Sequence, residues 1–477
     1  MSLEFAPGES FSGVVASEDK GELVQAPATL TFDAELGATF EVSYPDTGWL
    51  DDEPNAPRWV HQGGKYPTQA VFQTNSGNVT LAGIHKISHS SNGEVVTARM
   101  RSDEAVFATT RRGVEDPLMY DELASEIDGL DRWWGTPSSI SREVEYDDRG
   151  FTKGMGVSTT EVPEVTWQQG DAVMRLKMGW RSSTTNHNHS WSLEDNAQLV
   201  SAFPEPRDAA AHLAEHRKVR ELLVLMFGAP VSFRRHEVRS LHYLPGTIPG
   251  EKPEIFAPPV SFISRSTLRE LSAPVPAERR LFWPVLRLPQ IGPEGITRWA
   301  QVWDDAAFSR MIEPVVTTLM RPKPFYDDMV LATGRFLDAW GKTAERVEGE
   351  RAVSPDSKGH TFAISVYRAL RLTDADWSFL ADAPEGLARA ISRTYTSVKH
   401  AENEPPDPVQ LQALVPAMLA IVRMVAARKV DQDGAAVREW GHSWGLRDSV
   451  PDFERLSYRV DAEGVFTTTE RDSGNDQ

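Results

Sequence analysis

From about residue 10 to residue 195 the apolar and polar positions alternate in short runs: ATLTFD (28–33), ATFEVSY (38–44), QAVFQT (69–74), NVTLAG (78–83), EVVTARM (94–100), EAVFAT (104–109), ISREVEY (140–146) and VMRLKMGW (173–180). Each run is rich in β-branched or aromatic residues and is bounded by Gly, Asn, Asp or Pro, the pattern of strands that bury one face. Strands in close series predict an antiparallel sandwich or barrel. Phe203-Pro204-Glu205-Pro206 then introduces a predicted helix from Arg207 to Phe227, which closes at Gly228-Ala229-Pro230; VSFRRHEVRSL (231–241) and PVSFISR (259–265) return to strand spacing. A proline-rich stretch, 271–293, follows, and after Ile296 the apolar spacing becomes helical in TRWAQVWDDAAFSRMIEPVVTTLM, YDDMVLATGRFLDAWGKTAERV, DADWSFLADA, EGLARAISRTYTSVKH, PVQLQALVPAMLAIVRMVAARKV and DGAAVREWGHSWGL. Five or six such helices predict a bundle. The expected class is therefore α+β: a β-rich region over 1–293 (sandwich or barrel with an added helix), an all-α bundle over 294–460, and a loose tail over 461–477.

Composition narrows the functional classes. A chain of 477 residues, 40% of them apolar, with 14 Trp and 20 Phe, can fill two or three cores. The N-terminal MSLEFAPGES has no basic leader or apolar core, and the longest apolar helix, Val409 to Val430, contains Pro416 and Arg423, so neither export nor membrane insertion is expected. The absence of cysteine removes disulfides, thiol catalysis and cysteine-ligated zinc, and agrees with a cytoplasmic location. A formal charge of −19 argues against coating nucleic acid by bulk electrostatics, so any polyanion must meet basic residues gathered in one groove.

Arginine followed by histidine after four to six residues is a spacing that can serve phosphodiester chemistry. With 38 Arg and 12 His it occurs four times, at Arg181/His187, Arg207/His212, Arg235/His242 and Arg393/His400, against about three expected by chance from this composition. On a helical wheel starting at Leu387, the residues Leu387, Ile391, Tyr395 and Val398 fall at about 0°, 40°, 80° and 20°, and Arg389, Arg393, Thr396 and His400 at about 200°, 240°, 180° and 220°. Arg393 and His400 thus share a polar stripe. Arg207 and His212 diverge by about 140° on a helix, Arg235 and His242 point to opposite sides of a strand, and Arg181/His187 falls in a loop. A polar stripe is more often a solvated face than a site, but this one ends beside the break AENEPPDP in an all-helical region.

An all-helical bundle with RTYTSVKH closing a late helix resembles the HEPN superfamily. The whole arrangement resembles the ApeA-type anti-phage HEPN proteins, through FSGVVASEDKGELVQAPATLTFD, DELASEIDGLDRWWG, AAAHLAEHRKVRELLVLMFGAPVSFRRHEV, GRFLDAWGKTAE and RTYTSVKH. Members often carry Asn, Asp or His after the arginine; this chain has Thr394. The resemblance implies cofactor-free, metal-independent RNA cleavage that aborts infection, with Arg393 and His400 catalytic, Arg389, Thr394, Thr396 and Lys399 near the RNA, a homodimer, and a phage-derived trigger met by the β-rich region. A non-catalytic dimerisation module is the alternative.

The third reading is a zinc hydrolase. HLAEH sets His212 and His216 one helical turn apart with Glu215 beside them, an inverted zinc-peptidase pattern that needs a third ligand such as Glu294. The expected placement for this pair is a surface helix with both histidines outward. His85 and His89 in HKISHS and His187 and His189 in NHNHS lack a ligand spacing, the Trp pair in DRWWG (131–135) suits one ring in a core and one at an interface, and GKT (341–343) lacks the glycines of a phosphate loop.

Overall fold

A computed structural model describes residues 8–19, 22–45, 58–60, 66–75, 77–108, 118–135, 138–185, 190–241, 246–248, 254–400 and 402–468. His187, His189 and His242 lie outside the described residues. The protein is α+β and divides into two compact units, Met1–Asp128 with Ser138–Arg217 and Ser232–Val275, and Gly129–Pro137 with Lys218–Val231 and Pro276–Gln477.

The strands of the first unit are β1 (Ser10–Asp19), β2 (Glu22–Asp33), β3 (Gly37–Pro45), β4 (Gln69–Thr74), β5 (Gly77–Ser91), β6 (Val95–Val106), β7 (Tyr120–Ile127), β8 (Ile140–Tyr146), β9 (Thr152–Thr159), β10 (Val165–Gln169), β11 (Ala172–Thr185), β12 (Ser190–Arg207), β13 (Phe233–Arg239), β14 (Gly246–Ile248), β15 (Glu254–Phe256) and β16 (Val260–Ser264). In the order β6-β3-β2-β1-β4-β5, with β5 pairing back to β6, six of them close a barrel. Alternate strand residues, among them Phe32, Phe40, Phe72 and Met100, point inward and fill it together with Trp59 from the single turn Arg58–Val60, whose Nε1 donates to Ser17 Oγ at 3.1 Å. β16 pairs with β6 at Phe262↔Val106 and carries the sheet on through β13, β7, β12 and β11 to β10.

That open extension has two distinct faces because the side-chain period is two. His236 pairs with Ser125, which pairs with Leu199, and Val238 pairs with Leu123, which pairs with Ser201, so these six share one face. The start of helix α2 (Ala209–Phe227) covers it, joining Ala209 and Leu213 to Tyr120, Leu123, Val238 and Phe262 in one core. The opposite face is charged, with Arg239–Glu122 and Arg235–Glu237 ion pairs. Strand β12 continues to Arg207, so the expected helix start at Arg207 moves to Ala209, and β5 runs through His85 and His89, which the sequence placed in turns or strand ends.

The second unit is helical. It holds α1 (Leu130–Trp134), the second half of α2, α4 (Leu288–Asp304), α5 (Ala306–Leu319), α6 (Tyr326–Thr343), α7 (Glu350–Val353), α8 (Phe362–Thr373), α9 (Pro384–Lys399), α10 (Pro408–Ala427), α11 (Ala435–Gly441), α12 (Trp444–Ser449), α13 (Pro451–Leu456) and the hairpin β17 (Tyr458–Val460) with β18 (Phe466–Thr468); α3 (Leu268–Leu271) is in the first unit. The expected boundary at 293 lies inside α4. The single helix expected over 297–320 is two, because the Asp305 carboxylate caps α5 by accepting from Ala307 N–H at 2.8 Å. DADWSFLADA forms turns rather than a helix, α8 is a core helix that the sequence reading missed, and the expected tail over 461–477 contributes β18.

Helix α6 packs closely on its neighbours because Gly334 and Gly341 lack side chains: a Cβ there would lie 2.2 Å from the Tyr395 ring and 2.3 Å from Ser365. Helix α10 is long and apolar enough to cross a membrane, yet 72% of its apolar window is buried inside the structure. Its Arg423 closes the end of α2, donating to the carbonyls of Leu225 at 2.8 Å and Met226 at 2.5 Å, and burial lowers its pKa to about 9. Trp133 and Trp134 of DRWWG are both buried.

Candidate active site

Helix α9 begins at Pro384, whose fixed φ suits the first helical turn, and buries Leu387, Ala388, Ala390, Ile391, Thr394 and Tyr395. The Tyr395 ring packs on Phe362 of α8 at 4.4 Å between centroids. This apolar seam fixes the rotation of the helix and so turns Arg389, Arg393, Thr396 and His400 to the opposite side. Val398 is only half-buried, because the last turn runs past the end of the core.

Arg389, Arg393 and Thr396 line an open groove of about 710 Å³ together with Ser354, Ser357 and Asn403. Hydroxyl, amide and guanidinium groups share its walls with the Asp356 carboxylate and with Val353, Pro355 and Ala363. His400 is the C-cap residue: its N–H donates to the Thr396 carbonyl at 3.1 Å, and its half-exposed ring places Nδ1 3.6 Å from the Glu402 carboxylate. It stands beyond the walls of the groove, two helical turns, about 10 Å, along the axis from Arg393. Lys399 extends its ammonium over the Tyr395 ring at 5.3 Å. Thr394 corrects the expectation of a residue beside the RNA: at about 340° on the same wheel it belongs to the apolar seam, and it is 8% exposed.

The arginines of this face are engaged. Arg389 donates to the carbonyls of Val353 at 3.2 Å, of Ala352 at 2.5 Å and of Ala462. Arg393 donates through Nη1 to Gly464 O at 3.2 Å and through Nη2 to Glu463 O at 2.8 Å. Both therefore meet the turn that joins β17 to β18.

The rival motif is placed quite differently. His212 and His216 are fully buried against the sheet, not outward as expected, and with His236 they form a hydrogen-bonded row. His212 Nε2 donates to Tyr120 O at 3.2 Å, and its Nδ1 meets Ser201 Oγ at 2.8 Å; His216 Nε2 meets Ser201 Oγ at 2.8 Å and its Nδ1 meets Ser125 Oγ at 2.7 Å; His236 Nδ1 meets Ser125 Oγ at 2.7 Å and its Nε2 meets Thr267 Oγ1 at 2.9 Å. The Tyr120 carbonyl only accepts, which places the His212 proton on Nε2. Burial lowers the pKa of all three histidines, that of His236 to about 3. Each ring nitrogen already has a hydrogen-bond partner, and the Glu215 carboxylate accepts from Gln169 Nε2 at 2.8 Å, so the lone pairs of HLAEH do not converge on one point. Among the described residues no three His, Asp or Glu side chains are grouped to hold a metal ion. Glu294, the conceived third ligand, lies in α4 rather than in a linker. The sequence did hold the signal: His212, His216, Val219 and Leu223 fall within about 60° on a wheel, the centre of the apolar face of α2.

Fold and site together define a class: an antiparallel β unit joined to a helical unit that carries an arginine-lined groove. Residues 10–242 match the family model described as ApeA N-terminal domain 1. No curated protein and no solved structure matches the chain.

Proposed function

We propose that this chain is an anti-phage effector whose helical unit cleaves RNA without a metal ion, and whose β-rich unit meets a phage-derived trigger. The observation that carries the reading is the polar face of α9, which presents guanidinium and hydroxyl groups to an open groove and ends in a solvent-accessible imidazole. In the proposed reaction the ribose 2′-oxygen attacks the adjacent phosphorus. His400 takes the 2′-hydroxyl proton as general base, or gives one to the departing 5′-oxygen as general acid. Arg393 donates to the phosphoryl oxygens as charge gathers on them. The products are a 2′,3′-cyclic phosphate and a 5′-hydroxyl, so DNA, without the 2′-hydroxyl, is not a substrate.

One imidazole supplies one proton-transfer group. A second copy related by a two-fold axis, with its own His400 facing the first, would supply the missing acid or base, which is the reason for proposing a homodimer. One observation favours the other reading, a non-catalytic module: the Arg393 guanidinium ties α9 to the β17–β18 turn. The two separate in one assay. Purified protein should cleave RNA in excess chelator, and cleavage should vanish in His400→Ala; intact RNA from the wild type after trigger or phage challenge would leave only the binding module.

A further inference from the structure

We propose that the turn between β17 and β18, residues 461–465, is an internal strap that occupies the phosphate position of α9 and must lift before an RNA backbone can bind; this rests on the reading of α9 as an RNA site. Three successive carbonyls of the turn, those of Ala462, Glu463 and Gly464, accept from Arg389 and Arg393, two guanidiniums one helical turn apart. Oxygens offered side by side to a guanidinium fork stand where the non-bridging oxygens of a phosphodiester would stand. The Asp461 carboxylate closes the turn by accepting from Val465 N–H at 2.7 Å. RNA and strap therefore compete for the same donors.

The sequence specifies this contact closely. Gly464 has φ +84°, and a Cβ on it would lie 2.7 Å from Arg389 Cβ and 3.0 Å from Ala390 N. A Cβ on Gly386, in the first turn of α9, would lie 2.0 Å from the Asp461 carbonyl oxygen. Two glycines on the two partners thus let backbone rest on helix. The base of the hairpin is anchored separately, through Val460 N–H to Leu380 O at 2.9 Å and Asp382 N–H to Val460 O at 3.0 Å, so the turn can lift without loss of its root. The hairpin has only three paired residues on each strand, a size with little stability of its own. Neutral carbonyls bind a guanidinium less strongly than a phosphate does, so the strap sets a threshold for RNA rather than a permanent block.

Gly386→Ala tests this, because alanine favours the helix while its methyl group collides with the strap. The probe is a 2′-O-methyl RNA oligonucleotide, which has the backbone but cannot be cleaved; its affinity for the full chain is read by fluorescence anisotropy, and cleavage of ordinary RNA is followed in parallel. The strap predicts about tenfold tighter binding by Gly386→Ala, lost again in Gly386→Ala/Arg393→Ala. Gly464→Ala, which acts from the other side of the contact, should give the same result if Gly386→Ala does not fold. Tighter binding with faster cleavage supports both the strap and the nuclease. Tighter binding without cleavage keeps the strap and removes the nuclease. Unchanged binding in both glycine variants overturns the strap, whether or not the wild type cleaves RNA.

Discussion

His400 and the His212–His216–His236 row present one residue type in opposite settings. The His400 side chain is 46% exposed, at a helix end, with Nδ1 3.6 Å from the Glu402 carboxylate. The three histidines of the row are 0% exposed, and each is fixed at both nitrogens by hydroxyl or carbonyl groups. An imidazole that reaches solvent with a spare nitrogen can do acid–base work; one that is sealed and doubly bonded acts as a structural polar joint. The sequence offered HLAEH and RTYTSVKH as rival sites, and burial separates them.

The largest expected effect falls on activity. His400→Ala should lower RNA cleavage about a hundredfold or more, the scale for loss of a general acid or base, and leave the unfolding midpoint unchanged because the residue lies off the apolar seam. Arg393→Lys should also be poor, since an ammonium does not reproduce the guanidinium fork. A His400→Ala protein that still cleaves RNA and still protects cells removes the proposed site.

Next in size is the converse. His216→Ala leaves a cavity and strips Ser125 and Ser201 of one partner each, so the first unit should lose about 3 kcal/mol, read by urea melts. Cleavage per folded molecule should be unchanged. A loss of cleavage as deep as that of His400→Ala, with normal stability, would restore a catalytic role for HLAEH.

The row also sets a pH dependence. Seven links join Tyr120 O to Ser264 O through the three imidazoles and the Ser201, Ser125 and Thr267 hydroxyls. Neutral histidines supply one proton fewer than there are links. An imidazolium at His216 would complete the set by donating to both serines, but burial opposes the charge and holds its pKa well below 6.5. Because the folded values lie below the unfolded one, full stability is present above about pH 6.5 and is lost as the pH falls toward the folded values. For His236, folded near 3 against 6.5 unfolded, the loss by pH 5 is about 2 kcal/mol. His236→Gln cannot titrate, so its urea midpoint should fall less between pH 7 and 5 than that of the wild type; equal falls would show that the row does not control the acid response.

Much of the fold was legible because period-two alternation and helical spacing follow directly from burial of one face. The α9 wheel, with Leu387, Ile391 and Tyr395 inward, is an example. What was not legible depends on distant partners. Helix α8, FAISVYRALRLT, is buried nearly all round, with Ser365 and Arg368 inside and Arg368 paired to Glu350, so its polar positions do not mark an outer face. His236 joins His212 and His216 only through strand register, which local spacing does not carry. The strap on Arg393 comes from residues some seventy positions later, in a segment whose composition reads as tail.

The smallest expected effect separates contact from chemistry on α9 itself. Lys399 and His400 are adjacent, but Lys399 leans over Tyr395 with its ammonium in solvent, so it can meet an RNA phosphate only as a point charge. Lys399→Ala should weaken binding of the 2′-O-methyl oligonucleotide a few-fold, equally for all sequences, and reduce the slope of log affinity against log salt by about 0.7, the value for one contact on a single strand. The cleavage rate at saturating RNA should stay within about twofold of the wild type, because uniform binding is lost and no proton transfer is. A large fall in that rate with unchanged affinity would move Lys399 from the rim of the site to its chemistry, and would leave His400 sharing the role that distinguishes it from the buried row.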